Sequence, residues 1–132
     1  MTLRSRIISI KTVAAGEIIG YGATYVCDTE HRLAVVSIGY GDGYPRSAPN
    51  GTPVLIHCRS GHGLVRKQAA LAGRVSMDKI IVDLSGCDDA AVGDEVILWG
   101  AGLPADEIAR RCGTIAYELF CQVTARVHYV YI

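Results

Sequence analysis

Lys79-Ile80-Ile81-Val82-Asp83-Leu84 and then Val92-Gly93-Asp94-Glu95-Val96-Ile97-Leu98-Trp99 decide the fold class. Each apolar run is too short for an ordinary helix and rich in β-branched residues, which suit a pleated surface. Gly93-Asp94 supplies the positive φ that a tight turn needs. Similar runs recur outward from this pair, at Arg6 to Thr12, Leu33 to Ile38 and Pro53 to His57. Ala14-Ala15-Gly16-Glu17 and Pro49-Asn50-Gly51-Thr52 separate them with turn chemistry of their own. Several short antiparallel strands imply an all-β barrel or sandwich.

Helices are a minor theme. Pro104 to Gly113 carries proline and acids at its start, arginines in its last turn and glycine beyond, so it is predicted as a helix, placed at the periphery. Thr114 to Val123 reads either as a helix lined by Ile115, Leu119 and Gln122 or as a strand beginning at Phe120; the short helix is preferred. Arg126-Val127-His128-Tyr129-Val130-Tyr131 alternates polar with apolar and is predicted to close the sheet as its last strand. Ser60 to Ala70, with its glycines, histidines and basic residues, is predicted as an extended surface loop.

At 132 residues the chain forms one domain, spanning 1–132, able to bury roughly two-thirds of its unfolded surface. A hydrophobic share of 50% against 20% charged residues excludes wholesale disorder. Thirteen basic and thirteen acidic residues cancel and the basic ones are scattered, which excludes the electrostatic footprint of a nucleic-acid binder. No apolar run is long enough to span a membrane, and the N-terminus lacks a signal peptide's apolar core. Cys27, Cys58, Cys87, Cys112 and Cys121 are odd in number and form no C-x-x-C pair, which favours a reducing, cytoplasmic setting over a disulfide framework.

The chemistry-bearing motifs are Gly20-Tyr21-Gly22-Ala23-Thr24-Tyr25 and Gly39-Tyr40-Gly41-Asp42-Gly43-Tyr44-Pro45-Arg46. Glycines on both sides of an aromatic let the backbone turn sharply and approach a ligand, and the phenol offers a rigid body with one ionisable tip. Together with Gly73-Arg74-Val75-Ser76-Met77-Asp78, Gly93-Asp94-Glu95-Val96 and Thr114-Ile115-Ala116-Tyr117-Glu118-Leu119, these five ordered blocks resemble the C-terminal β domain of bacterial alanine racemases, fold-type III enzymes that use pyridoxal 5'-phosphate.

That resemblance implies a small antiparallel β-barrel with one or two short helices. It also implies a partner domain that this chain does not contain, an N-terminal α/β barrel whose lysine holds the cofactor. The family's reaction interconverts L-alanine and D-alanine for peptidoglycan synthesis. A proton leaves one face of a planar carbon and another arrives on the opposite face, so two acid/base groups must flank it. The resemblance assigns one face to the barrel's lysine and the other to Tyr21, acting across a homodimer interface on the site of the partner subunit. A free phenol, with pKa about 10, is only roughly one part in a thousand ionised at pH 7, so Tyr21 would need nearby cations to lower it by about 2–3 pH units. The same resemblance makes Met77 and Tyr40 substrate-binding residues, Tyr117 a hydrogen-bond donor to the cofactor phosphate, and Arg46, Arg74 and Ile115 residues of the substrate entrance.

Each residue also has a plainer reading. A tyrosine in a Gly-Tyr-Gly turn is usually a half-buried anchor, and a methionine usually fills a gap in the core. Gly39 to Gly43 superficially suggests a phosphate cradle, yet lacks the strand-turn-helix context and the Lys-Ser/Thr of one, and reads as a strand end and turn. His57, Cys58 and His62 lack an evident fourth ligand, so no metal site is predicted. Cys58 to Leu71 is longer and more basic than the family's usual short turn, which leaves the preferred amino acid open among small ones. Two functions follow: the C-terminal part of a pyridoxal-phosphate racemase, inactive without its barrel, or a non-catalytic β-barrel binding module.

Overall fold

In the computed structural model, residues 1–14, 18–19, 25–26, 31–60 and 63–131 are described, with 18–19, 25–26 and 60 as backbone only. Among the described residues eight strands run in the order β1 (Leu3–Val13), β2 (Ile18–Ile19), β3 (Tyr25–Val26), β4 (His31–Val36), β5 (Pro53–Ser60), β6 (Gly63–Leu71), β7 (Ile80–Asp83) and β8 (Glu95–Trp99). A 3-10 turn at Tyr40–Asp42 follows β4, and helices α1 (Ala105–Arg111) and α2 (Ala116–Gln122) follow β8.

Six strands close into an antiparallel barrel in the order β1-β4-β7-β6-β5-β8, with β8 pairing back onto β1, while β2 and β3 form a separate two-stranded ribbon. Closure leaves the barrel no free edge, the feature of a sheet most prone to unwanted pairing. The all-β expectation therefore holds in its barrel form. Period-2 alternation puts Val54, Ile56 and Cys58 of β5 and Ile80 and Val82 of β7 into one core. That core also takes Leu3, Ile7, Val96, Leu98 and Trp99. Tyr44 stacks on Trp99 at 6.3 Å between centroids with both rings buried.

Four expectations are corrected here. The stretch predicted as a loop from Ser60 to Ala70 is largely strand β6, paired with β5 from Pro53↔Ala70 to Ser60↔Gly63. Its alternation was hidden because Lys67 occupies an inward register position, where its ammonium lies 3.7 Å from Asp89 Oδ2. The segment predicted as a last strand, 126–131, forms none, since β1 and β8 already close the barrel and leave no edge to extend. Helix α1 is not peripheral, because Ile108 and Ala109 are fully buried in the main core, joined from α2 by Leu119. Ile115 and Gln122, expected beside Leu119, are exposed.

Leu98 is completely buried in that core. Leu98→Ala is expected to lower unfolding free energy by about 3 kcal/mol through lost transfer energy and a residual cavity. Urea denaturation should show a reduced midpoint at unchanged slope.

Candidate functional site

The site begins at the end of β4. Gly39 is extended, with φ −154°, and starts the 3-10 turn Tyr40–Asp42, which Gly43 ends in the left-handed region at φ +105°. Three bonds close the turn: Gly39 N–H donates to Asp42 Oδ2 at 3.0 Å, Asp42 N–H to the Gly39 carbonyl at 3.0 Å, and Gly43 N–H to the Tyr40 carbonyl at 3.1 Å.

A second loop, Ser76 to Lys79, folds back on itself through Ser76 N–H to the Lys79 carbonyl at 3.1 Å. The two loops are zipped together. Tyr40 N–H donates to the Ser76 carbonyl at 3.0 Å and Gly41 N–H to the Met77 carbonyl at 2.9 Å. A Cβ on Gly39 would strike the Ser76 carbonyl oxygen and lie 2.5 Å from the Met77 carbonyl carbon, so glycine here permits the close approach of two backbones.

Tyr40, Arg46, Ser47, Asn50, Arg74, Ser76 and Met77 thereby border one cleft of about 760 Å³. The Arg46 guanidinium sits 5.3 Å from the centroid of the Tyr40 ring, a cation–π contact worth about 0.5–1 kcal/mol when exposed. On the far wall, Gly73 N–H donates to Asn50 Oδ1 at 2.6 Å and fixes the start of the Arg74-Val75-Ser76 wall. Tyr40 and Met77 are 39% and 50% exposed, which places them as cleft lining rather than core. An apolar wall bordered by two exposed arginines can hold a small amphipathic anion such as an amino acid carboxylate.

Other predicted residues lie elsewhere. Tyr117 is 76% exposed and borders a second cleft of about 490 Å³ with Met1, Gly100, Ala105, Asp106, Ala116 and Phe120. Its ring meets Phe120 edge-on at 6.5 Å. Ile115 is 65% exposed at the start of α2 and borders neither cleft. Tyr21 lies outside the described residues, as do Cys27 and His62. Cys58 is buried in the core, and His57 Nδ1 lies 3.3 Å from Glu95 Oε1 on β8. Among the described residues no group of three or more His, Cys, Asp or Glu side chains is placed to hold a metal ion.

Sequence reasoning missed a charged cluster beside the cleft. Arg126 Nη2 lies 2.5 Å from Asp78 Oδ1, and its Nε lies 3.3 Å from Asp42 Oδ1. The hydrogen bond to Asp78, with the Asp42 charge beside it, holds the guanidinium above its ordinary pKa. Asp42 and Asp78 stand inside the two quoted motifs, but Arg126 is remote from both in sequence and stood in a segment read as strand. Its signal was an unassigned arginine in a tail otherwise lined with exposed aromatics.

Comparison with known proteins narrows the reading. Residues 1–131 match the family model described as alanine racemase, C-terminal domain. The biosynthetic alanine racemase of Pseudomonas aeruginosa is 55% identical over 127 residues, which is 96% of this chain and 33% of that protein. The alanine racemase of Vibrio vulnificus strain CMCP6 is 51% identical over 131 residues, 99% of this chain and 34% of that protein. The crystal structure of the Pseudomonas aeruginosa enzyme superposes with a TM-score of 0.86, again over 96% of this chain and 33% of its own. This chain therefore spans about a third of the length of the curated relatives it matches.

Proposed function

Because this chain belongs to the alanine racemase C-terminal domain family, we propose that it is the tyrosine-bearing part of a pyridoxal-phosphate enzyme that interconverts L-alanine and D-alanine. The observation that supports this best is the cleft that gathers Tyr40, Met77, Arg46 and Arg74 from two zipped loops.

In this reading Tyr21 Oη takes the α-proton from L-alanine and returns it in the reverse direction, while a base on a separate N-terminal barrel serves the opposite face. The cofactor, when bound, supplies the electron sink that makes this proton acidic. Tyr40 and Met77 give the substrate's methyl group an apolar wall. Arg46 and Arg74 attract its carboxylate into the cleft. The reaction sits in the cytosol, where a reducing setting suits the four described cysteines, all of them free thiols.

The residues around Tyr117 fit a cofactor phosphate only as a contributor. An exposed phenol can donate one hydrogen bond to a phosphate oxygen, but among the described residues its cleft is lined by no Arg or Lys and includes Asp106. Tyr117→Phe in the full-length protein is expected to weaken cofactor retention about tenfold, the scale of one hydrogen bond to a charged acceptor. Cofactor absorbance after dialysis reads this, and unchanged retention would remove Tyr117 from the phosphate site.

Sharing the site between subunits has its own test. A full-length Tyr21→Phe protein and one lacking the barrel's cofactor lysine should each be inactive alone. After mixing and subunit exchange, activity should return, because one heterodimer site then holds both groups. Continued inactivity, with heterodimers demonstrated, would place tyrosine and lysine in the same subunit's site.

A further inference from the structure

From the geometry beside the cleft we infer that Arg126 is a positioning residue for substrate binding: it locks the Tyr40 turn to the Met77 loop. This rests on the racemase reading for its kinetic consequence, while its structural half stands independently.

The Arg126 guanidinium is a planar fork, and here it spans two carboxylates on the two loops, Asp42 of the 3-10 turn and Asp78 next to Met77. It lies directly over Gly41, where a Cβ would strike its Nη1. The tail that carries it is itself tied to the turn. Thr124 Oγ1 donates to the Gly41 carbonyl at 2.8 Å, and Thr124 N–H donates to the Asp42 carbonyl at 3.0 Å. Asp42 in turn uses its other oxygen, Oδ2, to accept Gly39 N–H. The chain of contacts runs from the tail through Arg126 to both loops, and the two cleft residues Tyr40 and Met77 sit one position from its carboxylate anchors or two.

Arg126 is about half exposed, so its ion pairs add little to global stability. Their effect is local, on how closely the two loops stay zipped. Arg126 borders neither of the clefts lined by Tyr40, Met77 and Tyr117, so it acts only through the loops it holds. Loosening them should weaken substrate binding before it slows proton transfer.

The test is Arg126→Gln and Arg126→Lys in the full-length protein with its cofactor, alongside Asp78→Asn. Arg126→Gln is expected to raise KM for alanine about tenfold with kcat within about twofold, and Arg126→Lys, which keeps the charge but not the fork, to recover part of that loss. Amide hydrogen exchange at Tyr40 and Gly41 should accelerate in Arg126→Gln, with exchange in β4, β5 and β8 and the thermal midpoint unchanged. Arg126→Gln and Asp78→Asn combined should be no worse than Arg126→Gln alone, since that variant already breaks the link to Asp78. Unchanged exchange at Tyr40 and Gly41 overturns the inference whether or not the protein racemises alanine. Unchanged KM in an active enzyme overturns it too, as does a fall in kcat together with a lowered thermal midpoint, which would mark a merely structural role. A folded protein inactive on every amino acid would instead fail the racemase reading, and the exchange data would still decide Arg126.

Discussion

Tyr21→Phe in the full-length protein is expected to cut L-to-D turnover by about a thousandfold or more, at the upper range of what a positioned acid/base group contributes. Phenylalanine keeps the ring and its packing and removes only Oη, so cofactor absorbance and KM should change little. Both directions must slow together, because the equilibrium constant between mirror-image substrates is fixed at unity. A sharper signature separates the two faces. With the barrel's base intact, D-alanine should still exchange its α-hydrogen with deuterated solvent without inverting, whereas L-alanine should lose exchange. Near-normal racemisation would remove Tyr21 from the chemistry, and equal loss of exchange from both enantiomers would assign it a binding role.

Gly39→Ala should damage the site by another route. A Cβ at this position meets the Ser76 carbonyl and the Met77 backbone, and neither can retreat while Tyr40 and Gly41 donate to those same carbonyls. The loops must part, breaking one or both bonds. Overpacking of this kind costs about 1–3 kcal/mol, so the thermal midpoint should fall by roughly 8 °C for a loss near 2 kcal/mol. Substrate binding should suffer more than folding does, because Tyr40 and Met77 lose their common wall. Calorimetry together with KM for alanine checks this. A variant with wild-type midpoint and KM would show that the two loops are not held as close as the structure has them.

Much of the barrel was legible in the sequence because its strands carry their own evidence. Ile80 to Val82 and Val96 to Trp99 are short apolar runs rich in β-branched residues, and both are barrel strands. Strand β6 was not legible, since the inward position of Lys67 breaks the apolar alternation that marks a strand, and only its pairing with β5 reveals it. The tail from 126 to 131 misled in the opposite sense. Its alternation of polar and apolar residues was real, but Tyr129, Val130 and Tyr131 are exposed, and a closed barrel has no edge for them to join. Among the candidate site residues, Tyr40, Met77, Arg46 and Arg74 were read from motifs, and all four border one cleft. Arg126 could not be found this way, because its link to Asp42 and Asp78 exists only after three separate stretches of chain come together.

A chain carrying the tyrosine half of a composite racemase site is tested by alanine racemisation with added pyridoxal 5'-phosphate, for this chain alone and for the full-length protein. Full-length protein should convert L-alanine to D-alanine, and this chain alone should not. A folded, cofactor-loaded full-length protein that fails to racemise alanine, or an isolated chain that succeeds, would rule out a composite site of this kind.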